Sequence, residues 1–259
     1  MASQKQTPHS YARTPAAQGP DWLPIPKWIR ASLEGKFLAD SKRVRLLRGR
    51  PPVYYFPSDD IEWDFLQESD HTSSEPALGE AKYWHVTAGD RTVKNAAWQY
   101  TAPPDEAPPE IDDYVAFDWE AVDTWWEEDE PVRVHPRDPF SRLDALHSSR
   151  HIEVHIGGVE VADTTDAVLL FETGLPVRYY LPKKDIRMEL LQPTDLETEC
   201  PYKGIAQYYS AEVEGEQFVN IAWSYPFPNP TMYKIQDLVA FYSEKLDHIL
   251  VDGQPLPED

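Results

Sequence analysis

Hydrophobic and polar residues alternate along the chain in short runs, which is the pattern of strands that bury one face. Alternating runs at residues 44–47 and 167–171 follow turn-forming residues, and aromatic runs at 53–56 and 178–181 are each followed by a proline. The 25 prolines favour many short elements over long helices. The pattern predicts a mainly β protein of antiparallel strands with a few short helices.

The same series of predicted strands occurs twice. Residues 54–100 and 179–225 align without gaps and are identical at 16 of 47 positions, far more than chance gives. So long a period predicts two domains rather than a solenoid. We therefore expect two tandem compact antiparallel β domains related by a pseudo-twofold. The first would cover residues 37–138 and the second 149–259, with a linker at 139–148.

Three segments outside the aligned repeat have patterns of their own. Residues 1–20 are polar and rich in Pro, Ala, Gln and Ser, which predicts a mobile tail. Residues 21–36 add large apolar groups, and Pro26 predicts a short helix to Leu33 within a strap that docks on the first domain. Residues 119–130 carry many carboxylates beside adjacent tryptophans, which is typical of an exposed edge or linker with an aromatic anchor.

Composition and charge narrow the classes of partner. The chain has 45 acidic and 24 basic residues, a formal charge of −21 that repels phosphate backbones and anionic membrane surfaces. We therefore expect no nucleic acid and no membrane partner. No run approaches the roughly 18 apolar residues of a membrane span, and the first residues do not resemble a signal peptide. The single cysteine excludes an intramolecular disulfide. We expect a cytoplasmic protein, and the sequence carries no signal of an oligomeric state.

Motifs in the second copy resemble a known family. They are Tyr-Leu-Pro-x-x-Asp-Ile-Arg at residues 180–187, Cys-Pro-Tyr-Lys-Gly at 200–204, Asn-x-Ala-Trp-Ser-Tyr-Pro at 220–226 and Val-Ala-Phe-Tyr at 239–242. This series closely resembles the DUF427 family, a domain of unknown function that is sometimes labelled nucleotidyltransferase-like. The resemblance covers about residues 152–253 strongly and 37–126 more weakly, and it implies a compact, mostly antiparallel β domain in tandem. It implies fold more than chemistry, since analogy of fold does not establish an activity.

The two copies differ most at the motif of residues 200–204. Its counterpart at residues 75–79 keeps only the proline and the glycine, which shape a turn. A lysine close to a thiol raises the fraction present as thiolate, and lysine and tyrosine can bind an anionic group or act as acid and base. We predict that Cys200, Lys203 and Tyr202 are catalytic. The open alternatives are a thiol packed in a turn, an exposed lysine and a core tyrosine.

Residues around this motif form the predicted ligand site. The predicted ligand-binding residues are Tyr179, Arg187, Tyr208, Asn220, Trp223 and Tyr225. Strand periodicity puts Trp223 and Tyr225 on one face. Trp223, Tyr179 and Tyr208 are expected to line an aromatic pocket for a flat organic ligand. The alternative is packing, because the asparagine, the tryptophan and the second tyrosine recur in the first copy. The alternative interpretation of Arg187 is that it forms a solvated ion pair with a neighbouring carboxylate on the surface.

The common motifs of cofactor and metal sites are absent. The sequence has no phosphate loop, no dinucleotide fingerprint and no zincin motif, so we expect no cofactor. His147, His151 and His155 recur at the spacing of four that aligns ligands on a helix. The alternation over residues 152–156 favours a strand instead, and we predict no metal site. Any site in the first copy would have to use other groups, such as His71, Glu75 or His85.

These observations lead to two functional hypotheses. In the first, the protein is an enzyme that acts on a small organic molecule, with an aromatic pocket in the second domain that carries Cys200, Tyr202 and Lys203. In the second, the pocket or the cleft between the domains holds a ligand or a partner protein without catalysis. We favour the enzyme, without a reaction class. Whether Cys200 and Lys203 point into one concave pocket distinguishes the two hypotheses.

Overall fold

A computed structural model describes residues 20–256 of the chain. It divides into two compact units, with the boundary after Asp138. The mobile tail predicted for residues 1–20 lies, up to residue 19, outside the described part. Among the described residues, no helix has the length and apolar character needed to cross a membrane.

The first unit contains eleven strands and four short 3₁₀ turns in its described part. The strands are β1 (Trp22–Pro24), β2 (Ile29–Leu33), β3 (Lys36–Ser41), β4 (Arg45–Leu47), β5 (Val53–Pro57), β6 (Leu66–Glu75), β7 (Gly79–Ala88), β8 (Arg91–Tyr100), β9 (Tyr114–Phe117), β10 (Thr124–Glu127) and β11 (Glu130–Val132). The 3₁₀ turns are Ser58–Asp60, Trp63–Phe65, Ile111–Asp113 and Trp119–Ala121. A seven-stranded sheet has the order β1-β4-β5-β9-β8-β7-β6, and a four-stranded sheet has the order β11-β10-β2-β3.

The second unit repeats this plan. Its described strands are β12 (Leu143–Ser148), β13 (Ile152–Ile156), β14 (Val159–Thr164), β15 (Ala167–Glu172), β16 (Arg178–Leu181), β17 (Leu191–Cys200), β18 (Gly204–Val213), β19 (Glu216–Ser224), β20 (Val239–Phe241), β21 (His248–Val251) and β22 (Gln254–Pro255). The 3₁₀ turns are Lys183–Asp185, Met188–Leu190, Pro230–Ile235 and Ser243–Lys245. The sheet orders are β12-β15-β16-β20-β19-β18-β17 and β14-β13-β21-β22. The prediction of two tandem, mainly antiparallel β domains is confirmed.

Each seven-stranded sheet buries both of its faces. One face packs on the four-stranded sheet, where alternate residues such as Ile152, Val154 and Ile156 are fully buried. The other face carries a separate cluster in which aromatic residues such as Tyr180 and Trp223 pack among aliphatic ones in the second domain. Because side chains alternate between the faces of a strand, neighbouring residues enter different clusters. The face on which an aromatic residue lies therefore decides whether it can line a site on the outer face of the seven-stranded sheet.

The strap predicted for residues 21–36 is an integral part of the first domain's sheets. The short helix expected from Pro26 to Leu33 is wrong, because β2 lies between β10 and β3 in the four-stranded sheet. Its residues Ile29, Ala31 and Leu33 are fully buried. Pairing with strands distant in the sequence therefore overrides the local helix signal.

The two predicted linker segments are also strands. Residues 119–130 include β10, an inner strand on which Trp125 is buried and stacks on Trp119 with ring centroids 4.5 Å apart. The predicted linker at 139–148 includes β12, which pairs with β15 over six residues. Residues 119–130 carry many carboxylates because part of the segment is exposed, and that composition resembles a linker. Residues 139–148 have only two charged residues, Arg142 and Asp144, and lie outside the aligned repeat.

Candidate functional site

The aromatic face of the second domain borders an open-sided cavity of about 190 Å³. Its lining residues are Leu170, Glu172, Leu175, Pro176, Arg178, Tyr180, Lys203, Tyr208, Trp223, Tyr225 and Tyr242. They come from β15, the loop after it, β16, β18, β19 and the turns around these strands. The cavity therefore lies on the face of the seven-stranded sheet that is turned away from the four-stranded sheet.

Strand periodicity explains which residues reach the cavity. Arg178 and Tyr180 are two residues apart on β16, and Leu170 pairs with Arg178 from the neighbouring β15. Residues at i and i+2 share a face, so Glu172 follows Leu170 onto the same side. The alternation of one strand thus delivers both an apolar and a charged side chain to one wall.

The charged wall is an ion pair between Lys203 and Glu172. The Lys203 ammonium donates a hydrogen bond to a Glu172 carboxylate oxygen at 2.5 Å. Their side chains are only 13% and 11% exposed. A pair so poorly hydrated interacts more strongly than a surface pair. Glu172 ends β15, and Lys203 lies in the turn just before Gly204, so two separate hairpins bring them together.

A second ion pair lies beside the aromatic rings. Arg178 donates two hydrogen bonds to the Glu244 carboxylate at 2.8 and 2.9 Å, a bidentate arrangement. Its guanidinium lies 5.6 Å from the Trp223 ring centre and 5.8 Å from that of Tyr242. The hydrogen bonds from Arg178 lower the pKa of Glu244 to about 2, so this carboxylate stays charged at neutral pH. The guanidinium is thereby fixed beside the rings of Trp223 and Tyr242.

Three tyrosines of the cavity, Tyr180, Tyr225 and Tyr242, are held neutral at neutral pH. Burial is the largest cause of the raised pKa of Tyr180 and of Tyr225, and the nearby Cys200 raises both further. Burial likewise raises the pKa of Tyr242 to about 12. The Trp223 indole donates to the Tyr180 hydroxyl at 3.2 Å. These phenols are thus hydrogen-bonding groups at neutral pH.

Four of the nine predicted site residues line this cavity: Lys203, Tyr208, Trp223 and Tyr225. The prediction that Trp223 and Tyr225 share a face is confirmed, since both belong to the aromatic cluster. Cys200 and Tyr202 flank the cavity without lining it, and both are partly buried. Cys200 ends β17 and pairs with Gly204. The structure therefore brings Lys203 into the cavity and leaves Cys200 behind its tyrosine wall.

Three predicted ligand-binding residues lie elsewhere. Tyr179 points into the core between the two sheets, where burial raises its pKa to about 12. Arg187 is half exposed and pairs with Glu189 at 3.1 Å, as the surface alternative held. Asn220 adopts a left-handed conformation with a φ of 49° within a bulge of β19. These three side chains do not line this cavity, and their role in ligand binding stays a prediction.

Sequence reasoning missed two charged residues and two tyrosines of the cavity. Glu172, Arg178, Tyr180 and Tyr242 were not among the predicted site residues, although all four line it. Side chains alternate along β16, so Tyr179 and Tyr180 lie on opposite faces of the sheet. The face that carries Trp223 decides which of them lines the cavity, and it is Tyr180. One signal for Arg178 was available in the sequence. The first copy has the apolar Val53 at the corresponding strand position, so the charged Arg178 stands out.

The first domain keeps most of the aromatic frame and lacks both ion pairs. The Trp98 indole donates to the Tyr55 hydroxyl at 3.2 Å, the same contact as in the second domain. By strand register, Glu172, Arg178, Lys203 and Tyr242 correspond to Gly49, Val53, Leu78 and Asp118. The frame is therefore architecture common to both domains, and the ion pairs are specific to the second.

Two of the alternative groups of the first domain, His85 and His71, contact neighbouring residues. His85 accepts a hydrogen bond from the backbone of Asn95 at 3.0 Å, next to the bulge of β8. The His71 ring lies against Tyr83 with centroids 4.5 Å apart. Glu75 ends β6 at the counterpart of Cys200.

Comparison with known proteins identifies both halves of the chain. A family model described as a domain of unknown function, DUF427, matches residues 21–128 and again residues 144–252. The two matches correspond to the two units of the structure. No curated protein is significantly similar to the chain.

Proposed function

The chain belongs to the DUF427 family, whose function is unknown, and from this premise we propose that its second domain binds a small planar organic molecule and acts on it chemically. The observation that carries the proposal is the Lys203–Glu172 ion pair, which forms one wall of a cavity whose other walls are largely aromatic. Such a combination of apolar surface with a few convergent polar groups is typical of ligand sites.

The size and charge of the cavity define the ligand class. An apolar cavity of roughly 150 Å³ can hold benzene, so about 190 Å³ suits a single ring with small substituents. The two cationic and two carboxylate side chains at the cavity form pairs with each other. A neutral or zwitterionic ring therefore fits better than a multiply charged anion, and the formal charge of −21 acts in the same direction.

The proposed chemistry is proton transfer by the ion pair. The Lys203 ammonium is a donor and the Glu172 carboxylate an acceptor, and the two can exchange a proton with a bound ring in a poorly hydrated site. Cys200 and Tyr202, which lie close to Lys203 in the sequence, are the candidates for a nucleophile, although neither lines the cavity. Arg178 over Trp223 and Tyr242 would hold the ring in place.

A second candidate function is ligand binding without catalysis. It is favoured by one observation: Cys200, the strongest nucleophile of the motif, does not line the cavity. In this case the ion pairs only position the ligand.

A thermal-shift screen with single-ring metabolites tests the proposal. The panel would contain pyrimidines, nicotinamide-like amides and aromatic amino acid analogues. A ligand at a hundredfold excess over its dissociation constant stabilises the protein by about 3 kcal/mol. Compounds that shift the melting temperature are then incubated with the protein, and mass spectrometry detects turnover.

Matched variants assign the result to the cavity. Lys203→Met and Trp223→Phe are expected to abolish the shift, while Leu78→Met, at the corresponding position of the first domain, should retain it. Turnover that survives in Cys200→Ser and is lost in Lys203→Met supports acid–base chemistry. Binding without turnover supports the second candidate. A shift that persists in both cavity variants contradicts the site.

A further inference from the structure

A second group of polar residues lies on the opposite side of the same domain, on the outer face of the four-stranded sheet. Glu153 and His155 are two residues apart on β13, and their neighbours Ile152, Val154 and Ile156 are fully buried. The alternation therefore turns both side chains outward. In the strand register, His155 is paired with Glu160 on β14 and with His248 on β21. Three adjacent strands thus bring two histidines and two glutamates to one patch.

The geometry within this patch is close. One ligand atom from each of Glu153, His155 and Glu160 can be chosen so that all three lie within 4.8 Å of one another. The His248 ring lies against the His155 ring with centroids 4.6 Å apart. The Nε2 atom of His155 is buried and has no hydrogen-bond partner among the described residues. A buried polar atom without a partner calls for a physical cause, and an ion is one such cause.

We propose that Glu153, His155, Glu160 and His248 form a binding site for a divalent transition-metal ion, with Zn²⁺ as the best match. Imidazole nitrogen and carboxylate oxygen are the non-thiolate ligands that Zn²⁺ takes in tetrahedral sites, at about 2.0–2.2 Å. Two histidines and two carboxylates supply four such ligands. Glu160 and His248 are exposed, so their side chains can rotate to close the remaining distance.

The electrostatic surroundings favour a cation. The two carboxylates offset the positive charge of the ion, and the chain as a whole carries a formal charge of −21. The neighbouring His151 ring lies 3.7 Å from the Glu153 carboxylate and hydrogen-bonds Asp163 at 2.8 Å. Asp163 is on β14 and His248 is on β21, the other neighbour of β13, so this hydrogen bond holds His151 on the side of β13 opposite His248.

The first domain shows that the fold does not require these residues. Its β2 has the same bulge as β13. The counterparts of Glu153, His155, Glu160 and His248 are Arg30, Ser32, Phe37 and Thr124. There the patch is an arginine over aromatic rings, with the guanidinium 5.3 Å from Phe37. The metal-ligating set is therefore specific to the second domain and separate from the cavity.

Metal titration of the full chain tests the site. The protein is stripped of metal with a chelator, and Zn²⁺ binding is followed by isothermal titration calorimetry. We expect one equivalent to bind. Co²⁺ in place of Zn²⁺ should show the visible absorption of a tetrahedral centre, lost on addition of Zn²⁺. Glu160→Gln and His248→Gln, both at exposed positions, should each weaken binding at least about tenfold, since even outer-shell partners have effects of that size.

His147→Gln is the matched control, because His147 is exposed on β12 of the other sheet. It should bind Zn²⁺ like the unchanged protein. Circular dichroism of each variant verifies that its fold is retained. Absence of Zn²⁺ and Co²⁺ binding overturns the proposal. So does binding that Glu160→Gln and His248→Gln leave unchanged, because the ion would then sit on other ligands.

Discussion

At the scale of single residues, the ion pair of Lys203 and Glu172 dominates the candidate site. We predict that Lys203→Met alone destabilises the second domain by about 3 kcal/mol, because it leaves a nearly buried carboxylate without its partner. The double variant Lys203→Met/Glu172→Met should recover most of this loss, since two apolar side chains carry no desolvation penalty. Urea denaturation measures both. A single variant that loses less than about 1 kcal/mol would show that the pair is well hydrated in solution.

Glu244 gives a pH-dependent prediction. Arg178 lowers its pKa from 4.5 to about 2 in the folded protein, so this group stabilises the fold above about pH 4.5. That contribution is lost as the pH falls from about 4.5 to 2. The Glu244 side chain is 53% exposed, so the effect is modest, less than about 1 kcal/mol.

Comparison of variants isolates this effect. Between pH 6 and pH 3, the free energy of unfolding should fall less in Glu244→Gln than in the unchanged protein. Glu120→Gln is the control. Glu120 is the counterpart of Glu244 in the first domain, where Val53 stands in the place of Arg178, so no such ion pair can form. An equal fall in Glu244→Gln and the unchanged protein would mean that the bidentate pair does not form in solution.

At the scale of elements, the repeated asparagine marks a β-bulge in each domain. Asn95 and Asn220 have φ angles of 53° and 49°, in the left-handed region that asparagine and glycine tolerate best. The backbone N–H of Asn220 donates to Ser210 at 3.0 Å, while that of Asn95 donates to His85. The bulge bends the long hairpin, and the aromatic residues that follow it reach the cavity.

This bulge predicts an order of stability among variants. Asn220→Gly and Asn220→Ala both lose the hydrogen bond that the Asn220 side chain accepts from Thr194. Only Ala also meets the steric cost of a positive φ, so Asn220→Ala should be less stable than Asn220→Gly by about 1 kcal/mol. Urea denaturation of the two variants checks the difference. If Ala proved equal to Gly, the bulge would have to relax in solution.

At the scale of the whole molecule, the two domains share their sheet architecture and differ in the charged residues of the candidate site. Each unit has its own two sheets and its own buried clusters. We predict that residues 139–259 fold without the first domain, as expected of a unit with an independent core. The fragment should show a β-type circular dichroism spectrum and a cooperative thermal transition. A fragment that lacks cooperative unfolding would show that the first domain is needed for the second to fold.

The sequence alone was sufficient for much of this description. Period-two alternation and the gapless repeat specify strands, turns and two tandem β domains, because these signals are local or depend on comparison within the chain. The aromatic residues occur in both copies and were therefore assigned to the fold. Lys203 occurs only in the second copy and was therefore a candidate for the site. The prolines and glycines that close the turns gave the ends of the hairpins.

Only the tertiary structure decided which face each strand turns to the cavity and which distant strands pair. Tyr179 and Tyr180 are equivalent in sequence pattern, and both faces of this sheet are buried. Alternation alone therefore does not say which of them joins Trp223. Glu172 meets Lys203, and His155 meets His248, across strands far apart in the chain. Such contacts are set by strand pairing, which no local pattern encodes, because the hydrogen bonds of a strand are made to partners at any sequence distance.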